Sequence, residues 1–106
     1  MKNMTKINRN IGTNRGRGRV WIENRPNSKE KPLTENGWLK GVRYKRTVKG
    51  KGFELLRDKD GPLKVAGGPG RPVIDICGAY VDTVLDGFDT VEISITREKI
   101  TIRGNA

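Results

Sequence analysis

The sequence predicts a sheet-dominated α+β fold in which two β-α-β-β repeats follow a flexible basic arm. Three observations lead there. Short segments alternate apolar and polar residues at period two, the mark of half-buried strands. Gly and Pro punctuate those segments at corresponding places in two successive stretches, residues 19–57 and 71–104. Residues 1–18 are rich in Asn, Gly and Arg, and their only apolar residues are Met1, Met4, Ile7 and Ile11.

Taken in order, the arm comes first. Residues 1–18 bury too little to offset the entropy of ordering, so a flexible segment is expected. The run Asn14-Arg15-Gly16-Arg17-Gly18-Arg19 alternates Arg with Gly. Arg offers planar, bidentate phosphate contacts, and Gly lets the backbone follow a groove. Such an arm suits a path along phosphates or entry into a minor groove, and it suits RNA equally.

The first repeat opens with a strand over Arg19–Glu23. A loop holding Pro26 and Pro32 leads to a short helix from Leu33 to Leu39, stopped by Gly41. Strands then run from Val42 to Val48 and from Phe53 to Leu56 around the Gly50-Lys51-Gly52 turn. Residues 57–70, with Asp60-Gly61-Pro62 and Gly67-Gly68-Pro69-Gly70, read as a connector holding one short extra strand at Leu63–Ala66. The second repeat has a strand over Val73–Ile76 and a helix from Gly78 to Leu85, ended by Gly87. A hairpin follows over Thr90–Thr96 and Lys99–Arg103, turning at Arg97-Glu98. In the helix, Tyr80, Val81, Val84 and Leu85 share a stripe. In the hairpin, Val91, Ile93, Ile95, Ile100 and Ile102 alternate with polar residues. Neither repeat buries a core alone, so residues 19–106 form one domain.

Composition narrows the function. With 106 residues, 33% of them hydrophobic, the chain suits one small domain. There is no His and one Cys, Cys77, which excludes an internal disulfide, His/Cys metal clusters and Ser-His-Asp or Cys-His nucleophiles. Asp75, Asp82, Asp86 and Asp89 lack metal-loop spacing and read as helix ends and surface charge. The glycine cluster at 67–70 lacks the Gly-Lys-Ser/Thr ending of a phosphate loop. No enzyme chemistry, cofactor or metal is therefore expected. No apolar run reaches the length of a membrane span, and Met1–Lys6 leads into no secretory signal, so a cytoplasmic protein is expected.

The net charge is +10, and it is unevenly placed. Residues 1–19 hold six basic side chains and no acid, and residues 20–70 hold twelve basic and six acidic ones. Residues 71–106 hold four basic and six acidic. A polyanion is the partner such a balance implies.

The repeat resembles the SpoVT/AbrB (MazE-like) swapped-hairpin family. The residues that carry the likeness are Gly70-Arg71-Pro72-Val73-Ile74-Asp75-Ile76, Leu85-Asp86-Gly87, Asp89-Thr90-Val91-Glu92-Ile93 and Lys99-Ile100-Thr101-Ile102. In the first half they are Gly18-Arg19-Val20-Trp21-Ile22, Trp38-Leu39-Lys40-Gly41, Val42-Arg43-Tyr44 and Phe53-Glu54-Leu55. The chain is also similar to the SymE-like branch. The resemblance implies a swapped-hairpin, pseudo-dimeric barrel, complete as a monomer or forming a homodimer, and a DNA-binding transcriptional regulator. A bacterial or phage member would sit on the nucleoid. By position, the resemblance points to Arg19, Arg25, Lys29 and Lys31 in the first half and Arg71 in the second as DNA contacts. The Pro26–Pro32 loop is longer than the family pattern, and the second half lacks matching basic residues. Both departures weigh against symmetric reading of a palindrome.

From the residues themselves, the candidate nucleic-acid contacts are Arg9, Arg15 and Arg17 of the arm, with Arg43, Lys45 and Lys49 on the polar face of the Val42–Lys49 strand. Lys40 and Lys51 extend that cluster. An exposed basic strand face also serves as edge protection. Trp21, Trp38 and Tyr44 sit inside apolar patterns and are expected to pack in the core, though a tryptophan stacked on unpaired bases is the alternative. Cys77 is expected to be a small buried residue. DNA is preferred over RNA as partner. A single-stranded DNA or RNA binder, and a protein that inhibits or escorts a nucleic-acid enzyme, stand as alternatives.

Overall fold

A computed structural model describes residues 4–24, 31–68 and 70–105. The elements are β1 (Thr5–Asn10), β2 (Gly12–Asn14), β3 (Arg17–Glu23), α1 (Pro32–Glu35), β4 (Arg43–Val48) and β5 (Gly52–Arg57). They continue as β6 (Leu63–Lys64), β7 (Ala66–Gly68), β8 (Arg71–Cys77), α2 (Ala79–Val84), β9 (Thr90–Ile95) and β10 (Lys99–Gly104). The strands form a six-stranded sheet in the order β1-β9-β10-β5-β4-β6 and a four-stranded sheet in the order β2-β3-β8-β7. Every pairing is antiparallel.

One core joins the two sheets. Along β9 and β10, Val91, Ile93, Ile95, Ile100 and Ile102 are buried while the residues between them are not. Along β3 and β8, Val20, Ile22, Ile74 and Ile76 do the same from the other sheet. Phe53 and Leu55 of β5 and Leu33, Trp38, Val81 and Leu85 from the helical segments complete the cluster. Period-two alternation makes each sheet two-faced, so one face buries and the other meets water. Val65, buried between β6 and β7, is where the connector leaves one sheet and joins the other.

The two halves meet along two seams. β3 pairs with β8, placing Val20 opposite Ile76 and Ile22 opposite Ile74. β5 pairs with β10, placing Leu55 opposite Ile100 and Phe53 opposite Ile102. The first strand of each half begins at Arg17 and Arg71, 54 positions apart. Pro32 and Ala79, Arg43 and Thr90, and Gly52 and Lys99 begin the later elements, each 47 apart. The difference of seven lies wholly in the link between β3 and α1.

Three expectations need correction. The flexible arm expected over 1–18 is instead, from Thr5 to Asn14, the strands β1 and β2. β1 needs little apolar surface of its own, because it adds to the open edge of β9, with Ile7 packed against the core. β2 folds back on β3 as a hairpin. The helix expected from Leu33 to Leu39 is the four-residue α1. Gly37, at φ 79°, turns the chain so that the Trp38 amide donates to the Leu33 carbonyl at 2.9 Å. Asn24 supplies the cap at its start, its Oδ1 accepting from the amides of Leu33 at 3.2 Å and Thr34 at 3.4 Å. Trp21 and Cys77 are half-buried on the outward face of the small sheet, because the in-out alternation of β3 and β8 buries their neighbours instead.

Two stability predictions arise here. Gly52 lies opposite Arg103 in the β5–β10 seam, where a Cβ would run into the Ile102 carbonyl. Gly52→Ala is expected to lower unfolding free energy by roughly 1–3 kcal/mol in urea titration, as overpacked sites do. Burial raises the Tyr44 phenol above its ordinary pKa of 10.0, an effect partly opposed by Arg46. Below about pH 10 both states keep the proton; above it the unfolded chain loses the proton first. Stability is therefore expected to fall as pH rises past about 10, and Tyr44→Phe should flatten that fall.

Candidate nucleic-acid interface

The alternation that buries the isoleucines of the large sheet presents a polar face to water. Cross-strand register assembles that face from distant parts of the chain. Lys6 stands opposite Ser94, Ser94 opposite Thr101, Thr101 opposite Glu54, and Glu54 opposite Thr47. Beside that row, Lys99 stands opposite Leu56 and Leu56 opposite Lys45, while Arg103 stands opposite Glu92 and Gly52.

Two shallow concavities of about 490 Å³ each indent this face. The first lies over β1, β9 and β10, and the second reaches across β5 to the Lys49–Lys51 turn. Both are lined by Lys99, Thr101 and Arg103, so they form one trough with β10 along its floor. Glu54 and Glu92 are its acids; the Glu54 side chain is 12% exposed, with Lys49 Nζ at 3.4 Å and Lys99 Nζ at 3.9 Å from its Oε2. Lys6, Lys45, Lys51 and Arg103 form no ion pair among the described residues. A face of ammonium and guanidinium groups interleaved with Thr and Ser hydroxyls matches the oxygens of a phosphate backbone. Its two concavities are lined chiefly by charged and hydroxyl side chains.

No family model, curated protein or solved structure matches this chain.

The small sheet has a different outward face. Arg19 forms a two-pronged ion pair with Asp75, Nε to Oδ1 at 2.9 Å and Nη2 to Oδ2 at 3.1 Å. The same guanidinium lies 4.1 Å from the centre of the Trp21 ring. The hydrogen bond to Asp75 is the main cause that raises the Arg19 pKa further. Arg19 thus ties β3 to β8, and Asp75 already occupies its donor fork.

The β2–β3 hairpin carries the other arginines of the former arm. Asn14 pairs with Arg17, so Arg15 and Gly16 form a two-residue turn at φ 52° and 77°. Such turns need a positive φ at both central residues, which Asn-Gly provides at little cost. Arg15 has no such ease, and Arg15→Asn is expected to raise unfolding free energy by about 0.5–1 kcal/mol in urea titration.

The remaining candidates are scattered. Arg9 is half-buried in β1, and its Nη1 donates to the Asn8 carbonyl at 3.0 Å. Lys31 is exposed just ahead of α1, and Lys40 is exposed in the turn after Trp38. Arg43, at the start of β4, donates through Nη1 to the Gly61 carbonyl at 2.9 Å. Arg71 is exposed at the start of β8, opposite Gly68. Arg25 and Lys29 lie outside the described residues. The fold therefore brings Lys45, Lys49 and Lys51 together on one face and leaves Arg15, Arg17, Arg19 and Arg71 on the other sheet.

Three residues of the trough, Lys6, Lys99 and Arg103, were absent from the candidates drawn from sequence. The second half carries net negative charge, which hid the two that belong to β10. Their signal was in the pattern, since Lys99, Thr101 and Arg103 alternate with Ile100 and Ile102 as the outward side of a strand.

Proposed function

We propose that this protein binds nucleic acid, duplex DNA ahead of RNA, across the outer face of its six-stranded sheet. One observation carries the reading: Lys6, Lys45, Lys49, Lys51, Lys99 and Arg103 share that face with Glu54 and Glu92 as its acids. Phosphate contacts of this kind hold a backbone without regard to sequence.

The finer reading is a transcriptional regulator of AbrB-like type, in which one chain supplies what a family dimer builds from two. It draws support from the order β-α-β-β occurring twice and from the two antiparallel seams that relate the halves. The extra seven residues between β3 and α1 make the halves unequal, which favours an asymmetric or sequence-independent site. A cytoplasmic setting, on the nucleoid in a bacterial or phage context, belongs with this reading.

A second reading, single-strand binding, rests on Trp21, whose ring faces outward on the small sheet. Trp38 is fully buried, so quenching of tryptophan emission by a nucleic acid would report on Trp21. A salt-titrated binding assay with duplex DNA, single-stranded DNA and single-stranded RNA of equal length separates the outcomes. Tighter binding to duplex, with affinity falling steeply in salt, is the expected result. Preference for unpaired strands with strong quenching would transfer the function to Trp21 and its sheet. Absence of binding to all three would overturn the proposal.

A further inference from the structure

We propose that the β2–β3 hairpin is a second DNA contact that sits over the minor groove of A·T-rich duplex and inserts Arg15 as the side chain that reads it. The inference rests on the nucleic-acid reading above and adds to it a place and a class of sequence.

The hairpin is built to be narrow and bare. Every residue of β2 is exposed, as are Arg15, Gly16 and Arg17 of the turn and its exit. Gly12, Gly16 and Gly18 remove side chains from both strands and from the tip. Gly18 is the anchor: its amide donates to Asp82 Oδ1 at 3.0 Å, and a Cβ there would meet that carboxylate. The base of the hairpin is thus fixed to α2 while its tip stands free of the core.

Arg15 sits at the tip with a positive φ of 52°, a conformation that costs a residue with a Cβ. The turn that joins β2 to β3 demands that φ, yet Asn would meet the demand at less cost, and the Arg15 side chain forms no hydrogen bond or ion pair among the described residues. An arginine kept where Asn fits the turn better, with its guanidinium unpartnered among the described residues, points to a role outside the chain. Residues 4–22 hold no acidic side chain, so the hairpin's own sequence does not oppose a phosphate-rich groove.

Groove dimensions and chemistry choose the target. The minor groove is about 6 Å wide, enough for a guanidinium but not for a two-stranded ribbon, so Arg15 alone enters it while the hairpin stays at its mouth. It narrows further over A-tracts, where its deeper negative potential attracts arginine. An arginine reading the major groove would instead form a paired contact with guanine. Base composition therefore distinguishes the two modes.

The test compares wild type with Arg15→Asn on two duplexes of equal length, one an A-tract and one G·C-rich, by fluorescence anisotropy. Asn tolerates the turn geometry, and a thermal melt checks that the variant is folded. Wild type should bind the A-tract about tenfold tighter, with the advantage lost when netropsin fills the minor groove. Arg15→Asn should bind both duplexes equally, near the wild-type affinity for the G·C-rich one. Equal binding by wild type, a G·C preference, or an A-tract preference that survives in Arg15→Asn would each overturn the inference and leave the sheet-face reading intact. Wild type that binds neither duplex would overturn both.

Discussion

Replacing Lys99 and Arg103 together by alanine is expected to weaken duplex binding by on the order of 10- to 100-fold at low salt. Both side chains line both halves of the trough on the large sheet, so any strand laid along it passes over them. Each phosphate contact releases condensed counterions, contributing close to one to the slope of log affinity against log salt. Loss of two contacts should therefore lower that slope by roughly two. Lys40→Ala/Lys59→Ala removes the same charge from exposed turns outside the trough and should change both quantities less. The fold should survive, because Arg103 is exposed and the Lys99 ammonium is 3.9 Å from Glu54 at a solvent-open site. Equal losses in the two double variants would remove the trough from the mechanism and leave only net charge.

Trp38→Ala is expected to cost about 3–5 kcal/mol of unfolding free energy, a large part of what a domain of this size has. The indole is fully buried, and its Nε1 donates to the Thr96 carbonyl at 2.8 Å. It meets Tyr44 edge-on with ring centres 5.9 Å apart, and the Arg57 guanidinium lies 5.1 Å from its ring centre. Trp38 thereby joins the segment after α1, the strand β4 and the β9–β10 turn. Burial lowers the Arg57 pKa, and the neighbouring Arg97 lowers it further. Its Nη2 donates to the Asn36 carbonyl at 3.2 Å. Removing the indole takes away the surface on which that cation rests. Trp38→Phe keeps much of the packing but leaves the Thr96 carbonyl without its donor, so a smaller loss of about 1–2 kcal/mol is expected. Urea melts of the two variants, followed by far-UV circular dichroism, measure both. A loss for Trp38→Ala no larger than that for Trp38→Phe would show that the hydrogen bond, and not the packing, dominates.

Sequence periodicity carried most of the strands because alternation is a local property. Val91, Ile93, Ile95, Ile100 and Ile102 announce one buried face whatever they pair with, and the hairpin lies where the pattern puts it. β1 was hidden for the opposite reason. Its sequence, Thr5-Lys6-Ile7-Asn8-Arg9-Asn10, has one strongly apolar side chain, and its order comes from the waiting edge of β9. Both helices lie where the sequence expects them, but α1 is shorter, since Gly37 ends a helix that the propensities of Trp38 and Leu39 would extend. The site was half legible for a related reason. The basic face of β4 is local, whereas the trough exists only once register brings Lys6, Lys99 and Arg103 beside Lys49 and Lys51.

The pairing of β1 with β9 also sets the order in which the chain acquires its structure. Thr5 has Ile95 as its partner, and β3 has β8, so strands early in the sequence complete themselves with strands far along it. A nascent chain therefore carries β1 and the arginine-rich hairpin without their sheets until β8 and β9 have followed. Loop closure over such separations makes the assembly slow compared with a helical domain of equal length. The same step that packs Ile7 against the core sets Lys6 opposite Ser94, so the buried and the outward faces of the large sheet are completed together.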